Sequence, residues 1–135
     1  MKALPEHWNA KWIAPAEQPR RHPVFSRSFS LSKPVRAATL HITGYGLFEA
    51  YLNGKKLGED VLTPFFDAYT ETTQVLAFDL THLLEADNRM EILLGNGWYK
   101  GRFGFAPTEN RWGERFAALA QLEIIYADGS QETVC

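Results

Sequence analysis

The amino-acid sequence predicts an all-β protein, an antiparallel β-sandwich of jelly-roll type. Its apolar and polar residues alternate in roughly six or seven short segments, and a two-residue period is that of a strand. Turn-forming residues separate these segments at the regular spacing that is typical of sandwiches and barrels. The sequence offers one competing helical turn, at residues 81–85, with Asp79 or Thr81 as its N-cap.

The chain begins with a stretch that predicts no regular element. Residues 1–23 contain four prolines and no apolar period, so we expect an extended lead-in. Trp8, Trp12 and Ile13 are expected to attach this lead-in to the body of the protein. The remainder, residues 24–135, is long enough for one hydrophobic core and predicts a single β-sandwich domain.

The first two predicted strands differ in how cleanly they alternate. Residues 24–31 place two phenylalanines, an arginine and a leucine on one face and serines on the other. Residues 36–43 alternate strictly, with three apolar side chains expected inward and Thr39 and His41 outward. Both segments therefore predict strands with one face on the core.

The later strands are bounded by hairpin signals. Residues 47–53 predict a strand, and Asn53 with Gly54 is a strong hairpin signal because both residues tolerate positive φ. Asp128 with Gly129 predicts a second hairpin. The remaining strands are predicted at residues 72–80, 88–94, 119–126 and 131–134. Because the sequence stops inside this last hairpin, we expect the domain to be truncated at its C-terminus from a longer enzyme.

The most unusual stretch is residues 94–105, named here the glycine-aromatic loop. It contains four glycines, four large aromatic residues and two cations. Glycine is unfavourable inside helices and strands, so we predict an irregular, shaped loop whose surface continues through the nearby Asn110 and Trp112. The candidate residues for carbohydrate binding or for contact between domains are Trp98, Tyr99, Lys100, Arg102, Asn110 and Trp112.

Two interpretations of these six residues are open. In the first, the aromatic faces stack on a sugar while Lys100, Arg102 and Asn110 hydrogen-bond its hydroxyl groups. In the second, the same rings pack against the flank of this domain or against a neighbouring domain, since such interfaces also favour aromatic and arginine side chains.

Composition excludes several classes of partner. A formal net charge of −2 provides no field that would attract nucleic acid. No segment approaches the roughly 20 apolar residues that a membrane span needs. The N-terminus has no apolar leader, so we expect a cytoplasmic rather than a secreted protein. Cys135 is the single cysteine, which rules out an internal disulfide.

The sequence predicts no catalytic residue, no metal site and no cofactor. Glycoside hydrolysis normally requires two carboxyl groups about 5–10 Å apart, and the acidic residues here are scattered. The histidines lack the close spacing of zinc ligands. Calcium is the alternative, because its oxygen ligands can include backbone carbonyl groups. Its possible donors are Asp60, Asp67, Asp79, Asp87 and Asn88.

Several motifs resemble a known family. GYGLFEAYLNGKKLG at residues 44–58 and FDLTHLL at residues 78–84 resemble accessory β-sandwich domains of large glycoside hydrolases. GNGWYKGR at residues 95–102 is more specific, together with LTP at residues 62–64 and DAY at residues 67–69. With these motifs, about residues 25–134 are similar to the N-terminal domain of bacterial α-L-rhamnosidases. This resemblance implies a galactose-binding-domain-like sandwich.

The resemblance also implies a function. Such enzymes hydrolyse terminal α-L-rhamnose from glycosides, and their acid and base lie on a separate α/α-barrel domain. The chain would then be an accessory domain for substrate recognition or scaffolding, with the catalytic barrel and a rhamnose-containing carbohydrate as partners. Two alternatives are an autonomous carbohydrate-binding module and the sugar-binding domain of a β-galactosidase- or β-glucuronidase-like enzyme.

Overall fold

A computed structural model describes residues 3–17, 22–102 and 108–135. Within these ranges the chain forms eight strands and one single-turn helix. In chain order they are β1 (Val24–Ser30), β2 (Val35–Tyr45), β3 (Leu47–Leu52), β4 (Lys55–Lys56), β5 (Leu76–Asp79), β6 (Asp87–Gly95), α1 (Gly97–Lys100), β7 (Ala117–Tyr126) and β8 (Gln131–Val134). Among the described residues, no helix has the length and apolar character needed to cross a membrane.

The strands form two four-stranded sheets, which confirm the predicted antiparallel β-sandwich. One sheet has the order β1-β6-β3-β4 and the other has the order β5-β2-β7-β8, with every neighbouring pair antiparallel. Inward-facing side chains from both sheets form one core, because alternate residues of each strand point to the same face. Its fully buried members include Leu40, Ile42, Leu80, Leu94 and Ile124.

β2 shows where the alternation predicts burial and where it does not. Leu40 and Ile42 face the core, as expected. His41 lies on the opposite face of the strand, as predicted, yet only 2% of it is exposed, a burial that the alternation does not predict. The lead-in covers it: the His41 Nε2 atom lies 3.0 Å from the Ala3 carbonyl oxygen, and its ring meets Trp8 edge-on.

A buried glutamine attaches the lead-in to the outer face of this sheet. Gln121 on β7 is fully buried. Its Oε1 accepts the backbone amide hydrogens of Asn9 and Ala10 at 2.7 and 3.0 Å, and its Nε2 donates to the His7 carbonyl at 2.9 Å. The lead-in is therefore held by directed hydrogen bonds to one side chain of the sheet.

The predicted apolar anchors of the lead-in contribute in other ways. Ile13 forms a two-bond β-bridge with Ala118, both bonds measuring 2.9 Å, while its side chain stays exposed. Trp12 stacks on Tyr45 at the end of β2, and Trp8 contacts His41. Attachment of the lead-in thus combines backbone pairing with ring contacts at two separate places.

Both predicted hairpins are present. Asn53 and Gly54 join β3 to β4 with φ of 52° and 82°, the left-handed pair that a two-residue hairpin turn requires. Gly129 joins β7 to β8 with φ of 84°. In that second turn the Asp128 Oδ1 atom accepts hydrogen bonds from the backbone amide and the hydroxyl group of Ser130.

This turn makes the β7–β8 hairpin sensitive to acid. The Ser130 hydroxyl and amide, followed by the Lys33 ammonium group, lower the pKa of Asp128 from 3.8 to about 2. The carboxylate therefore stabilises the hairpin fully above about pH 4, and this contribution is lost as the pH falls toward 2. We expect an NMR titration of the Asp128 carboxyl group to give a pKa of about 2. Ser130→Ala should move it up toward 3.8, and a value near 3.8 in the unmodified chain would contradict the assignment.

Candidate functional site

The glycine-aromatic loop begins with a helical turn, where the sequence predicted an irregular loop. β6 ends at Gly95, and α1 follows as four residues. Gly101 closes this turn: its amide donates to the Gly97 carbonyl at 3.0 Å, and a Cβ atom at Gly101 would lie 2.3 Å from the same oxygen. Glycine is thus required here by a close backbone approach rather than by flexibility. Phe103 and Phe105 of the predicted loop lie outside the described residues.

Seven rings meet at the end of the sandwich where β2 and β6 finish, and we name them the aromatic cluster. Tyr45 lies at its centre, stacked between Trp12 at 4.4 Å and Tyr99 at 4.8 Å, with interplanar angles of 6° and 10°. Such parallel contacts bury both faces of the central ring. The members of the cluster are Trp12, Tyr45, Phe66, Tyr69, Trp98, Tyr99 and Trp112.

The outer rings of the cluster are joined mainly through their edges. Tyr69 meets Tyr99 edge-to-face with centroids 5.2 Å apart, and it lies 5.9 Å from Trp112. Phe66 contacts both Tyr69 and Trp98 at about 6 Å. Because each ring is oriented by its neighbours, the cluster is a preorganised surface.

Backbone contacts hold Tyr99 and Trp112 in place. The Trp112 amide donates to the Tyr99 carbonyl at 3.3 Å. A Cβ atom at Gly113 would lie 1.9 Å from the Tyr99 hydroxyl oxygen, so this glycine makes room for the ring. Burial raises the pKa of Tyr99 and also that of Tyr69. The charged form of both hydroxyl groups is therefore disfavoured further, and the protonated form can donate hydrogen bonds.

The structure brings all six predicted site residues together. Trp98, Tyr99 and Lys100 lie in α1, and Arg102 follows two residues after it. The backbone amide of Asn110 donates to the Lys100 carbonyl at 3.0 Å, which returns the chain beside the helix. The two cations, however, have internal partners. The Lys100 ammonium group lies 4.2 Å from the centre of the Phe116 ring, and Arg102 forms an exposed ion pair with Glu109.

The predicted set omitted more than half of the cluster. Trp12 was expected only to attach the lead-in, and Tyr45, Phe66 and Tyr69 were not proposed as site residues. These four residues come from three segments of the chain, and only the return of several strands to one end of the sandwich brings them together. One signal in the sequence could have identified part of this set: aromatic residues recur beside strand ends and glycines, as Tyr45 does.

The possible calcium donors come from separate loops and strand ends. The Asp67 Oδ1 atom accepts from the Ala68 amide at 2.7 Å and from the Thr72 hydroxyl group. Asp79 caps the turn at Thr81, as predicted, with its Oδ1 accepting from the Thr81 amide at 3.0 Å. Over residues 3–17, 22–102 and 108–135, no three His, Cys, Asp or Glu side chains form a group that could hold a metal ion.

Comparison with known sequences identifies the relatives of this chain. Residues 33–135 match the family model of the alpha-L-rhamnosidase N-terminal domain. An α-L-rhamnosidase from Streptomyces avermitilis is 40% identical over 104 residues, which cover 76% of this chain and 10% of that protein. An α-L-rhamnosidase from Alteromonas sp. is 34% identical over 140 residues, which cover 94% of this chain and 15% of that protein.

Solved structures agree with the sequence matches. The α-L-rhamnosidase of Aspergillus terreus superposes with a TM-score of 0.86 at 28% identity, covering 93% of this chain and 15% of that one. The Streptomyces avermitilis enzyme, solved in complex with L-rhamnose, gives 0.78 at 37% identity over 82% of this chain and 11% of that one. The chain thus spans 10–15% of the length of these relatives. These matches do not favour the alternative of a β-galactosidase-like sugar-binding domain. The chain belongs to the α-L-rhamnosidase N-terminal domain family.

Proposed function

We propose that this chain serves as an accessory domain of a longer α-L-rhamnosidase, which hydrolyses terminal α-L-rhamnose from glycosides at a catalytic α/α-barrel domain elsewhere in the polypeptide. Family membership supports the parent activity. The observation that carries the accessory role is the aromatic cluster, whose rings are stacked on one another at one end of the sandwich. A domain with such an end contributes a rigid surface to its enzyme.

The proposed role of this surface is to line the approach to the catalytic barrel. Trp98 is half-buried beside Phe66, and Arg102 and Asn110, which follow α1 along the chain, are exposed. Ring faces bordered by a few hydrogen-bonding groups are typical of carbohydrate recognition. Trp98 lies at the edge of the cluster, with Phe66 as its ring contact, and is the member that we propose to contact a substrate.

Steady-state kinetics of the full-length enzyme test this role. Trp98→Ala should raise KM for a rhamnoside by about tenfold, the effect of losing roughly 1.4 kcal/mol of binding energy, and should leave kcat unchanged. Trp8→Ala, which removes a tryptophan of the lead-in that lies outside the cluster, is the matched control and should change neither constant. A loss of kcat at constant KM would overturn the accessory role, as would identical constants for both variants.

A second candidate function is direct binding of a sugar by this domain. Two buried polar atoms of described residues near Tyr69 have no hydrogen-bond partner, the Trp112 Nε1 donor and the Asp67 Oδ2 acceptor. The Trp112 ring lies 5.9 Å from Tyr69, and the Asp67 charge contributes to the raised pKa of Tyr69. One donor and one acceptor beside aromatic rings complement the two hydrogen-bonding roles of a hydroxyl group.

Titration of the 135-residue chain with L-rhamnose, with and without calcium, separates the two candidates. Saturable heat that is lost in Trp112→Phe, which keeps a ring and removes the N–H group, supports direct binding. No heat up to high millimolar L-rhamnose excludes it and leaves the accessory role.

A further inference from the structure

We propose that residues 61–66, named here the 61–66 loop, form a docking surface for another domain of the same enzyme. The partner surface would be apolar at its centre and basic at its border. This inference rests on the proposed function, since it requires that the chain is part of a longer polypeptide.

The 61–66 loop exposes four large apolar side chains within six residues. Val61 is 66% exposed, Leu62 54%, Phe65 40% and Phe66 52%. Single exposed hydrophobic residues are ordinary on protein surfaces, whereas a contiguous apolar patch marks an interaction site. The loop therefore has the composition of an interface rather than of a solvated connection.

The loop is held in a defined shape by its central residues. Thr63 and Pro64 are buried between the two exposed pairs. The Thr63 hydroxyl group donates to the Phe48 carbonyl at 2.6 Å, and the Phe48 amide donates to the Thr63 carbonyl at 2.7 Å. This anchor on β3 directs the flanking side chains away from the sandwich.

The backbone is strained at two of the residues whose side chains the 61–66 loop exposes. Leu62 has φ of 60° and Phe65 has φ of 76°, a region that large side chains rarely adopt. Strain of this kind lowers stability and collects at functional positions. Glycine or asparagine would relieve this strain, so the two large apolar side chains are displayed at a conformational cost.

The surroundings of the loop favour a protein over other occupants. Val61 and Leu62 offer no group that could hydrogen-bond a sugar hydroxyl. An anionic membrane is disfavoured because the neighbouring charges are acidic. They are Glu59, Asp60, Asp67 and Glu71, and Lys56, the cation nearest to the loop in the sequence, is paired with Glu49. A protein surface with a basic border is complementary to this acidic one.

Two observations place the partner in the same enzyme. The relatives of this chain are about seven to ten times longer than the matched region, so most of the polypeptide surface lies in other domains. The loop is also continuous with the aromatic cluster, since Phe66 contacts both Tyr69 and Trp98. A domain seated on the loop would therefore border the surface proposed to line the substrate approach.

Amide hydrogen exchange tests the docking. We expect the five amides of the 61–66 loop, all but that of Pro64, which has no amide hydrogen, to exchange at least tenfold more slowly in the full-length enzyme than in the 135-residue chain. Leu62→Asn should abolish most of this difference, because it removes an exposed apolar contact while asparagine tolerates the positive φ. Equal exchange rates in the full-length enzyme and the isolated chain would overturn the proposal.

The chain offers a closely matched control. Leu83 is 52% exposed, compared with 54% for Leu62. It lies near the other end of β2, because the amide of the preceding Leu80 donates to the Ala38 carbonyl there. Leu83→Asn should leave the protection of the 61–66 loop intact. If the isolated chain sediments as a dimer through this loop, a second copy is the occupant and the proposal fails. A full-length enzyme that cleaves rhamnosides with an unprotected loop contradicts the docking alone, whereas absence of rhamnosidase activity contradicts the proposed function.

Discussion

Gly46→Ala is expected to lower the free energy of unfolding by about 3 kcal/mol. Gly46 joins β2 to β3 with φ of 109°, which an alanine adopts only with strain. A Cβ atom there would also lie 2.2 Å from the Gly95 carbonyl oxygen. That oxygen belongs to backbone that pairs with Leu47, so it cannot move without disrupting the β3–β6 register.

Gly54→Ala is the control that separates the two causes of this loss, the positive φ and the contact with the Gly95 carbonyl oxygen. Gly54 also has positive φ, 82°, but a Cβ atom there would have no heavy atom within 4 Å. Gly54→Ala should therefore lower the free energy of unfolding by only about 1 kcal/mol, the contribution of the backbone conformation. Urea unfolding of the 135-residue chain measures both variants. Equal losses at the two glycines would show that the contact with Gly95 contributes nothing.

Gln121→Leu is expected to lower the free energy of unfolding by about 2–3 kcal/mol, since each of its three bonds to the lead-in contributes about 1 kcal/mol. Leucine is similar in size, but it cannot accept hydrogen bonds from the amides of Asn9 and Ala10 or donate one to the His7 carbonyl. The larger consequence is local. Without this side chain, the lead-in loses its directed attachment to the outer face of β7.

Hydrogen exchange distinguishes this local release from general destabilisation. The Asn9 and Ala10 amides should be protected in the native chain and should exchange rapidly in Gln121→Leu under native conditions. Glu123→Gln is the control. It alters the adjacent carboxylate, which accepts a hydrogen bond from Gln121 Nε2 at 3.2 Å, and it leaves in place the three hydrogen bonds between Gln121 and the lead-in. Retained protection at both amides in Gln121→Leu would contradict the anchoring role.

The inner faces of the strands were predictable because burial there follows the two-residue period. Leu40 and Ile42 needed only their alternation with polar neighbours to be assigned to the core. Asn53 and Gly54 were likewise predictable, since few residues accept positive φ and the turn depends on nothing distant. The α1 turn was not predicted, because its glycines serve close contacts, Gly97 with the Leu47 side chain and Gly101 with the Gly97 carbonyl oxygen, that the local sequence does not indicate.

The candidate site was predictable only in part. Trp98 and Tyr99 were recognised because they lie among glycines in one short stretch. Their partners Trp12, Tyr45 and Tyr69 were not, because each occupies a different segment and carries no local signal of the others. His41 shows the same limit: its burial depends on the distant lead-in that covers it.

For this chain, local pattern was sufficient for the sandwich class, its hairpins and its family, because period, turn residues and motifs are all read within a few consecutive positions. The convergence of seven rings, the cover over the outer sheet face and the strained display of the 61–66 loop required the folded chain. Each of these depends on contacts between residues distant in sequence, and such contacts exist only after the two sheets have packed together.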